Sequence, residues 1–148
     1  MGQRRKARER ALEILYGIEI KKSHIDETKD ILLQYWSKKE SENIPIADDS
    51  KSFTSNLVNG VIENINNIDE CIKKYTINWT VDRISKIDKN ILRIAVYEFL
   101  YLSDIPEIVS INEAVDIAKK YGSEESDKFI NGILDKIRKN IKQWKNKK

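Results

Sequence analysis

The sequence predicts an all-α fold, a compact bundle of about seven helices. Apolar residues recur at intervals of three and four positions, which is the period of an amphipathic helix, and no segment alternates as a half-buried strand does. Only 5 glycines and 2 prolines occur among 148 residues, so the chain contains few of the residues that end helices. A hydrophobic fraction of 40% is enough for a packed core at this length.

The composition predicts a densely charged surface with a weak overall field. Charged residues make up 34% of the chain, and 27 basic against 24 acidic side chains leave a net charge of +3. The single cysteine, Cys71, and the single histidine, His24, provide neither an internal disulfide nor a set of zinc ligands. Because the sequence shows neither an apolar signal region nor a membrane-spanning run, we expect a cytoplasmic protein without cofactor or metal.

Two helices are predicted before Pro45. The first covers about residues 4–20 and buries an apolar stripe made of Ala7, Ala11, Ile14, Leu15 and Ile18. Asp26 is a suitable cap for the second helix, which carries Ile31, Leu32, Tyr35 and Trp36. The polar stretch 37–43, just before the proline, is predicted to be the longest loop.

The third helix has the clearest apolar period in the chain. It starts near Asp49 or Ser50, and its stripe covers about six turns. The stripe consists of Phe53, Leu57, Val58, Val61, Ile65, Ile68 and Ile72. Gly60 lies inside this helix at a cost of up to ~1 kcal/mol relative to alanine, which favours a close contact with another helix there.

The fourth and fifth helices are predicted from their caps and from one very apolar segment. Thr80 is a suitable cap for a short helix through Ile84 and Ile87, and Asp88 is a suitable cap for the next. That next helix is so apolar that we expect it to lie at the centre of the bundle. Its inward residues are Ile91, Leu92, Ile94, Ala95, Val96 and Phe99.

Two more helices follow. Ser110 and Glu113 have the spacing of a capping box, and the helix that they open buries Ile111, Ala114, Val115 and Ala118. A left-handed stop at Tyr121 and Gly122 ends it, and Ser123 begins the last helix with two glutamates at its positive end. The stripe of the last helix is Ile130, Ile133, Leu134, Ile137 and Ile141.

Arginines at the start of the first helix are the most informative feature for function. Arg4 and Arg8 fall on the line of the apolar stripe, where a surface helix does not normally place charges. An unpaired guanidinium is costly to bury, so we expect the first turns to extend beyond the core and to present Arg4, Arg5 and Arg8 to an anionic partner. Arginine pairs with phosphate and stacks on unpaired bases, which favours a nucleic acid. Ion pairs with Glu9 and Glu13 along the helix are the alternative explanation.

The junction at residues 119–123, Lys-Lys-Tyr-Gly-Ser, is a second candidate site. It places two cations and an aromatic ring beside the free amide groups of a helix start, which suits phosphate binding together with base stacking. The alternative is an ordinary turn in which Tyr121 closes the core. The basic residues at 136–148 are expected to form a solvated tail.

No pattern typical of catalysis is present in the sequence. It contains no Gly-rich phosphate loop, no GxSxG elbow and no HExxH motif, and His24 lies in a polar turn where surface exposure is the ordinary explanation. The sequence therefore predicts a binding protein that is not an enzyme and has no small-molecule substrate.

Five ordered segments extend over nearly the whole chain: RRKARERALEILY, NLVNGVIENINNID, ILRIAVYEFLY, DIPEIVSINEAVDIAKKYG and SDKFINGILDKI. Together they resemble the family of the transcription antitermination factor NusB. The resemblance implies two packed helical subdomains, at about residues 1–76 and 77–144, followed by a basic tail at 145–148. Family members bind the boxA element of ribosomal RNA leaders together with the ribosomal protein NusE and help RNA polymerase resist termination. Glu13 departs from the family, which often has glutamine there.

The resemblance also implies partners and site residues. The expected partners are boxA-containing single-stranded RNA, NusE and the transcription elongation complex, with no membrane. The RNA-contacting arginine motif falls on Arg4, Arg5, Lys6 and Arg8. A second RNA-contacting region falls on Lys120, Tyr121, Gly122, Lys128 and Phe129. Contacts with NusE fall on Tyr16, Asp82 and Asp88. Tyr16 lies off the apolar stripe, and Asp88 is expected to be an exposed anion at a helix start, suited to a basic partner.

Two alternatives differ in kind from an antitermination factor. The N-terminal module of ribosomal RNA cytosine methyltransferases has the same fold, but such an enzyme needs a cofactor-binding domain that we do not expect in 148 residues, and a reactive cysteine, whereas Cys71 lies on a helix. The other alternative is a helical adaptor without a nucleic-acid role that binds an acidic peptide through residues 4–10. Competition between RNA and that peptide separates the adaptor from an RNA-binding protein.

Overall fold

The computed structural model describes residues 2–21, 27–76 and 84–146, with side chains of the last helix described up to residue 142. Seven α-helices and no strand occur in these segments, which confirms the all-α prediction. The helices are α1 (Gly2–Lys21), α2 (Thr28–Ser41), α3 (Asp48–Glu63), α4 (Ile65–Tyr75), α5 (Lys86–Tyr101), α6 (Glu107–Tyr121) and α7 (Ser126–Asn146). None of these described helices has the length and apolarity needed to cross a membrane.

The chain divides into two compact units between Glu63 and Asn64. The predicted third helix is in fact two helices, because α3 ends at the division and α4 begins just after it. Asn64 leaves the helical conformation, with φ −115° and ψ 20°, and takes the N-cap position of α4. The apolar period continues across the break because Ile68 and Ile72 are buried in the second unit. Periodicity alone therefore does not detect the break.

Helices α1 and α3 form the core of the first unit. All five predicted stripe residues of α1 are buried, and so is Leu12. Two hydroxyl groups of α3 tie it to the start of α1. Thr54 Oγ1 donates to the carbonyl oxygen of Ala7 in α1 at 3.3 Å, and Ser50 Oγ donates to the carbonyl oxygen of Gln3 at 3.3 Å. Thr54 Oγ1 also lies 2.9 Å from the carbonyl oxygen of Ser50 within α3. Gly60 is buried in α3, as a close helix contact requires.

Helix α2 is packed lightly and is longer than predicted. Only Thr28 and Leu32 are buried along it, and it continues through most of the stretch that was predicted to be a loop. Its end is set by Asn43, whose φ of 58° is left-handed. The amides of Asn43 and Ile44 donate to the carbonyls of Glu40 and Lys39, which are the two hydrogen bonds of a Schellman motif. The predicted cap, Asp26, lies outside the described residues.

Helix α5 is the centre of the second unit, as predicted. Every residue from Asp88 to Phe99 is buried, and α4, α6 and α7 all pack against it. The predicted cap is wrong, because Ser85 Oγ accepts a hydrogen bond from the Asp88 amide at 3.1 Å and Asp88 lies within the first turn. The short helix predicted through Ile84 and Ile87 is wrong for the described residues, since Ile84 is not helical and Ile87 belongs to α5. Thr80 lies outside the described residues.

Polar side chains inside the second unit have specific partners. The guanidinium of Arg93 in α5 makes a bidentate ion pair with Asp69 in α4, with both nitrogen-to-oxygen distances at 2.8 Å. Glu98 is buried, and its Oε1 accepts a hydrogen bond from Ser110 Oγ at 2.6 Å. The predicted capping box is therefore wrong, because α6 begins after Pro106 and Ser110 lies in its interior. Cys71 in α4 is a fully buried thiol.

The turn between α6 and α7 differs from the predicted left-handed stop. Gly122 has φ −88° and ψ −173°, a conformation that does not itself require glycine. Glycine is needed for space, since an added Cβ at this position would lie 2.5 Å from the Ser126 side chain and 2.8 Å from the Ala118 carbonyl oxygen. Ser126 rather than Ser123 begins α7, and its Oγ accepts a hydrogen bond from the Ser123 amide at 2.9 Å. The five predicted stripe residues of α7 are all buried.

Replacing Gly122 by alanine should destabilise the protein by about 1–3 kcal/mol, because the new methyl group overlaps Ser126 and the α6 backbone. Gly132 in α7 is the matched control, since a Cβ there meets nothing within 4 Å. Gly132→Ala should stabilise the protein by about 0.5–1 kcal/mol. Urea denaturation of both variants measures the difference, and equal midpoints would contradict the steric role of Gly122.

Candidate nucleic-acid interface

The first two turns of α1 carry a cationic face supported by one aromatic ring. Arg4 and Lys6 are exposed and Arg5 is half-buried. The guanidinium carbon of Arg4 lies 4.6 Å from the centroid of the Phe53 ring in α3, and that of Arg8 lies 5.3 Å from it. Attraction between a cation and the face of the ring holds each guanidinium there. Arg4 is therefore oriented before any ligand binds.

Arg8 does not extend beyond the core as predicted. Only 3% of it is exposed, so it belongs to the packed interface between α1 and α3. The negative face of the Phe53 ring makes this site more favourable for a guanidinium than an apolar wall is. The sequence places Phe53 in the core, but pairing it with arginines about fifty positions away requires the tertiary structure. Arg8 remains a predicted RNA contact, and the role that the structure shows for it is packing between α1 and α3.

Arg10 also has a structural role. Its Nη1 donates to Ser50 Oγ at 2.9 Å, which joins α1 to the first turn of α3. The basic residues of α1 therefore divide by position, since Arg8 and Arg10 face the first unit while Arg4 and Lys6 face solvent.

The second predicted RNA-contacting region lies where α6 ends and α7 begins, in the second unit. Tyr121 is 43% exposed, so the alternative in which this ring closes the core is wrong. The Lys120 ammonium lies 5.2 Å from the centroid of the Tyr121 ring. Lys128 is exposed on the first turn of α7, and Phe129 beside it is half-buried. An aromatic face and cations are thus presented together near a helix start, as predicted.

A cleft of about 330 Å³ lies next to this region, between the starts of α5 and α7. Its lining includes Ser85, Asp88, Ser126 and Phe129. Asp88 is only 8% exposed, which corrects its prediction as an exposed anion, because the capped first turn of α5 is packed into the unit. Its Oδ1 is buried and has no hydrogen-bond partner among the described residues. A buried acceptor without a donor is costly, so this oxygen calls for a donor that the described residues do not supply.

Of the other two residues predicted to contact NusE, Tyr16 is among the described residues. Tyr16 on α1, in the first unit, is 36% exposed and off the apolar stripe, as predicted. Asp82 lies outside the described residues.

Comparison with known proteins places this geometry in a family. The NusB family model matches residues 5–139. The chain belongs to the NusB family. A relative from Thermodesulfovibrio yellowstonii, transcription antitermination protein NusB, is 45% identical over 142 residues, covering 93% of this chain and 92% of the relative. The family predicted from the five sequence segments is thereby confirmed.

Solved structures of NusB proteins share the fold. The structure of T. maritima NusB is 36% identical to this chain, with a TM-score of 0.77, and the match covers 92% of this chain and 90% of that one. A chain in the crystal structure of the antitermination factors NusB and NusE in complex with dsRNA is 29% identical, also with a TM-score of 0.77. That match covers 94% of this chain and 98% of the other.

The two arginines that share the Phe53 ring should differ in their effect on stability. Arg8→Ala removes packed atoms from the interface of α1 and α3 and should cost about 1–3 kcal/mol, whereas the exposed Arg4→Ala should change stability by less than about 0.5 kcal/mol. Urea denaturation measures both values. If Arg8→Ala proved as harmless as Arg4→Ala, the packing role of Arg8 would be disproved.

Proposed function

We propose that this chain is a transcription antitermination factor that binds boxA-containing RNA of ribosomal RNA leaders together with NusE and helps RNA polymerase resist termination. The observation that carries this proposal is the outward cationic face of α1, where Arg4 is held on the Phe53 ring and Lys6 is exposed. Membership of the NusB family supports it, as does the similarity to a chain of a NusB–NusE complex with dsRNA. The proposed role is binding without catalysis, within the cytoplasm.

The α1 face is suited to gripping the RNA backbone. Arg4 binds phosphate oxygens in a bidentate manner, and Lys6 contributes a compact charge beside it. Because the Phe53 ring already restrains Arg4, less conformational freedom is lost when RNA binds. Arg5 adds a third cation on the same two turns.

The junction of α6 and α7 is suited to an unpaired base. The exposed ring of Tyr121 offers a stacking surface, and Lys120 and Lys128 supply charge for the adjoining phosphates. The positive end of the α7 dipole adds to this attraction. Such a site favours single-stranded RNA over a duplex, whose bases are already stacked.

NusE is proposed to contact Tyr16, Asp82 and Asp88. The strongest support is Oδ1 of Asp88, which has no hydrogen-bond partner in the part of the chain that the structure describes, because a lysine or arginine from a basic protein would supply a donor. The cleft beside it has room for such a side chain.

Removing the outward cations of α1 should weaken RNA binding and should also make that binding less dependent on salt concentration. The triple variant Arg4→Ala, Arg5→Ala, Lys6→Ala should make the slope of log affinity against log salt shallower by roughly 2, at about 0.7 per phosphate contact on a single strand. Titration of a single-stranded boxA RNA between 50 and 200 mM salt, roughly the range over which counterion release is resolved, measures the slope.

The matched control removes the same charge from three exposed lysines on other helices: Lys29→Ala, Lys73→Ala, Lys136→Ala. Its slope should stay near that of the unmodified protein. An unchanged slope in the α1 triple variant, or an equal change in the control, would refute the assignment. A duplex of the same sequence should bind more weakly than the single strand.

Substitution of Asp88 should affect NusE binding and leave RNA binding by the protein alone intact. Losing one partner of a desolvated charge pair costs about 2–5 kcal/mol, so Asp88→Asn should weaken the complex with NusE by roughly 30-fold or more. Asp88→Lys should weaken it further through repulsion. Calorimetric titration with NusE and a parallel RNA titration make the comparison, and similar losses for both ligands would show that the substitution disturbs the fold instead.

A further inference from the structure

A second cleft, of about 290 Å³, lies in the first unit between α1 and α2. None of the residues predicted to contact RNA or NusE lines it. Its floor is apolar and is formed by Ile14 and Ile18 of α1 and Ile31 of α2. The cleft is open to solvent along one side, and a groove with an apolar floor of this size accepts one or two aliphatic side chains.

Gly17 lies on the α1 wall of this cleft and has no steric reason to be glycine. An added Cβ would meet nothing within 4 Å, yet glycine inside a helix costs about 1 kcal/mol relative to alanine. The absence of a side chain leaves the α1 backbone accessible from the cleft. A molecule that enters from outside the unit can therefore approach the helix closely at this position.

The rim of the cleft is predominantly basic. Lys21, Lys38 and Lys39 line it, against the single carboxylate of Glu13. That carboxylate accepts a hydrogen bond from the Tyr35 hydroxyl at 2.7 Å, which links α1 to α2. Burial, together with this hydrogen bond, raises the pKa of the Tyr35 hydroxyl above its ordinary value.

Helix α2 is suited to adjusting around a ligand. It buries only Thr28 and Leu32, so its attachment to the unit is weak compared with that of α1 or α3. Elements with little buried apolar surface open locally at low free-energy cost. The width of the groove is therefore adaptable, as in many helix-binding grooves.

We propose that the cleft between α1 and α2 binds an acidic amphipathic segment of another protein. A leucine-type side chain of the segment enters above Gly17, and its carboxylates pair with Lys21, Lys38 and Lys39. A protein segment fits better than RNA, because the floor of the cleft is aliphatic and the Tyr35 hydroxyl is already engaged by Glu13. This surface adds a second protein contact to the proposed antitermination factor and does not depend on its RNA-binding face.

A designed peptide tests the proposal directly. The probe is a helical 14-residue peptide with leucines at i and i+4 and glutamates at most other positions, titrated into the ¹⁵N-labelled full chain and followed by NMR. We expect the largest shifts at the Gly17 backbone amide and the Gln34 side-chain amide, both of which line the cleft. A peptide with lysines in place of the glutamates should bind at least tenfold more weakly.

Two variants locate the binding. Gly17→Leu fills the open space above α1 and should weaken binding of the acidic peptide at least tenfold. The stability of the protein should not fall, since leucine favours the helix. Gly132→Leu is the control, because Gly132 is also an open helical glycine but lies on α7. The double variant Lys38→Glu, Lys39→Glu should weaken binding of the acidic peptide by a similar factor.

Three results would overturn the proposal: no shifts at Gly17 and Gln34, equal binding of the acidic and basic peptides, or stronger shifts at these amides with a uridine 12-mer than with the peptide. The affinity of each variant for boxA RNA, measured separately, keeps this result independent of the RNA-binding role. Gly17→Leu should bind that RNA as the unmodified protein does.

Discussion

Burial of α5 along its whole central length is the constraint on which the second unit depends. Three helices pack against it, so even its polar side chains need partners inside the unit. Arg93 finds Asp69, and Glu98 finds Ser110. The first turn of this same helix places Asp88 in the lining of the cleft, so the proposed NusE contact stands on a helix that is buried along most of its length. The buried helix thus fixes the position of Asp88 beside the cleft.

In the first unit, one aromatic ring has two functions. Phe53 lies against both Arg4 and Arg8, but Arg8 is buried and Arg4 is exposed. The inner arginine fills the helix interface, while the outer one is exposed and forms part of the proposed RNA-binding face. Arginines can therefore follow the apolar stripe of α1 because the helix packed against it, α3, carries a ring that attracts cations. Under the proposed function, stability and RNA affinity are separable by substitution at adjacent turns of α1.

Most of the fold could be predicted from the sequence, because the spacing of apolar residues along a helix predicts which face is buried. The stripes of α1, α5 and α7 are buried as predicted. The break at Asn64 could not be predicted, because both helices beside it bury apolar residues in phase with one another. The extension of α2 into a polar stretch could not be predicted either, because few residues of α2 are buried and the stretch has no apolar period. The end of α2 depends on the left-handed conformation of Asn43.

The candidate site was predictable in its residue types but not in its contacts. Exposure of Tyr121 agrees with the predicted stacking role, whereas burial of Arg8 depends on a ring in another helix. Ser110 matches a local capping pattern, yet its hydroxyl is used by Glu98, which no local pattern indicates. Local sequence rules fail here because the competing partner comes from a neighbouring element of the fold.

The position of the only thiol makes its chemical reactivity a measure of local opening of the protein. Cys71 is wholly enclosed in the second unit, and the chain has no other sulfhydryl group. An alkylating reagent reaches it only during transient excursions from the native state, so the speed of labelling measures how often those excursions occur. Loss of protection at this sulfur would signal loosening around α4 long before helix content changes.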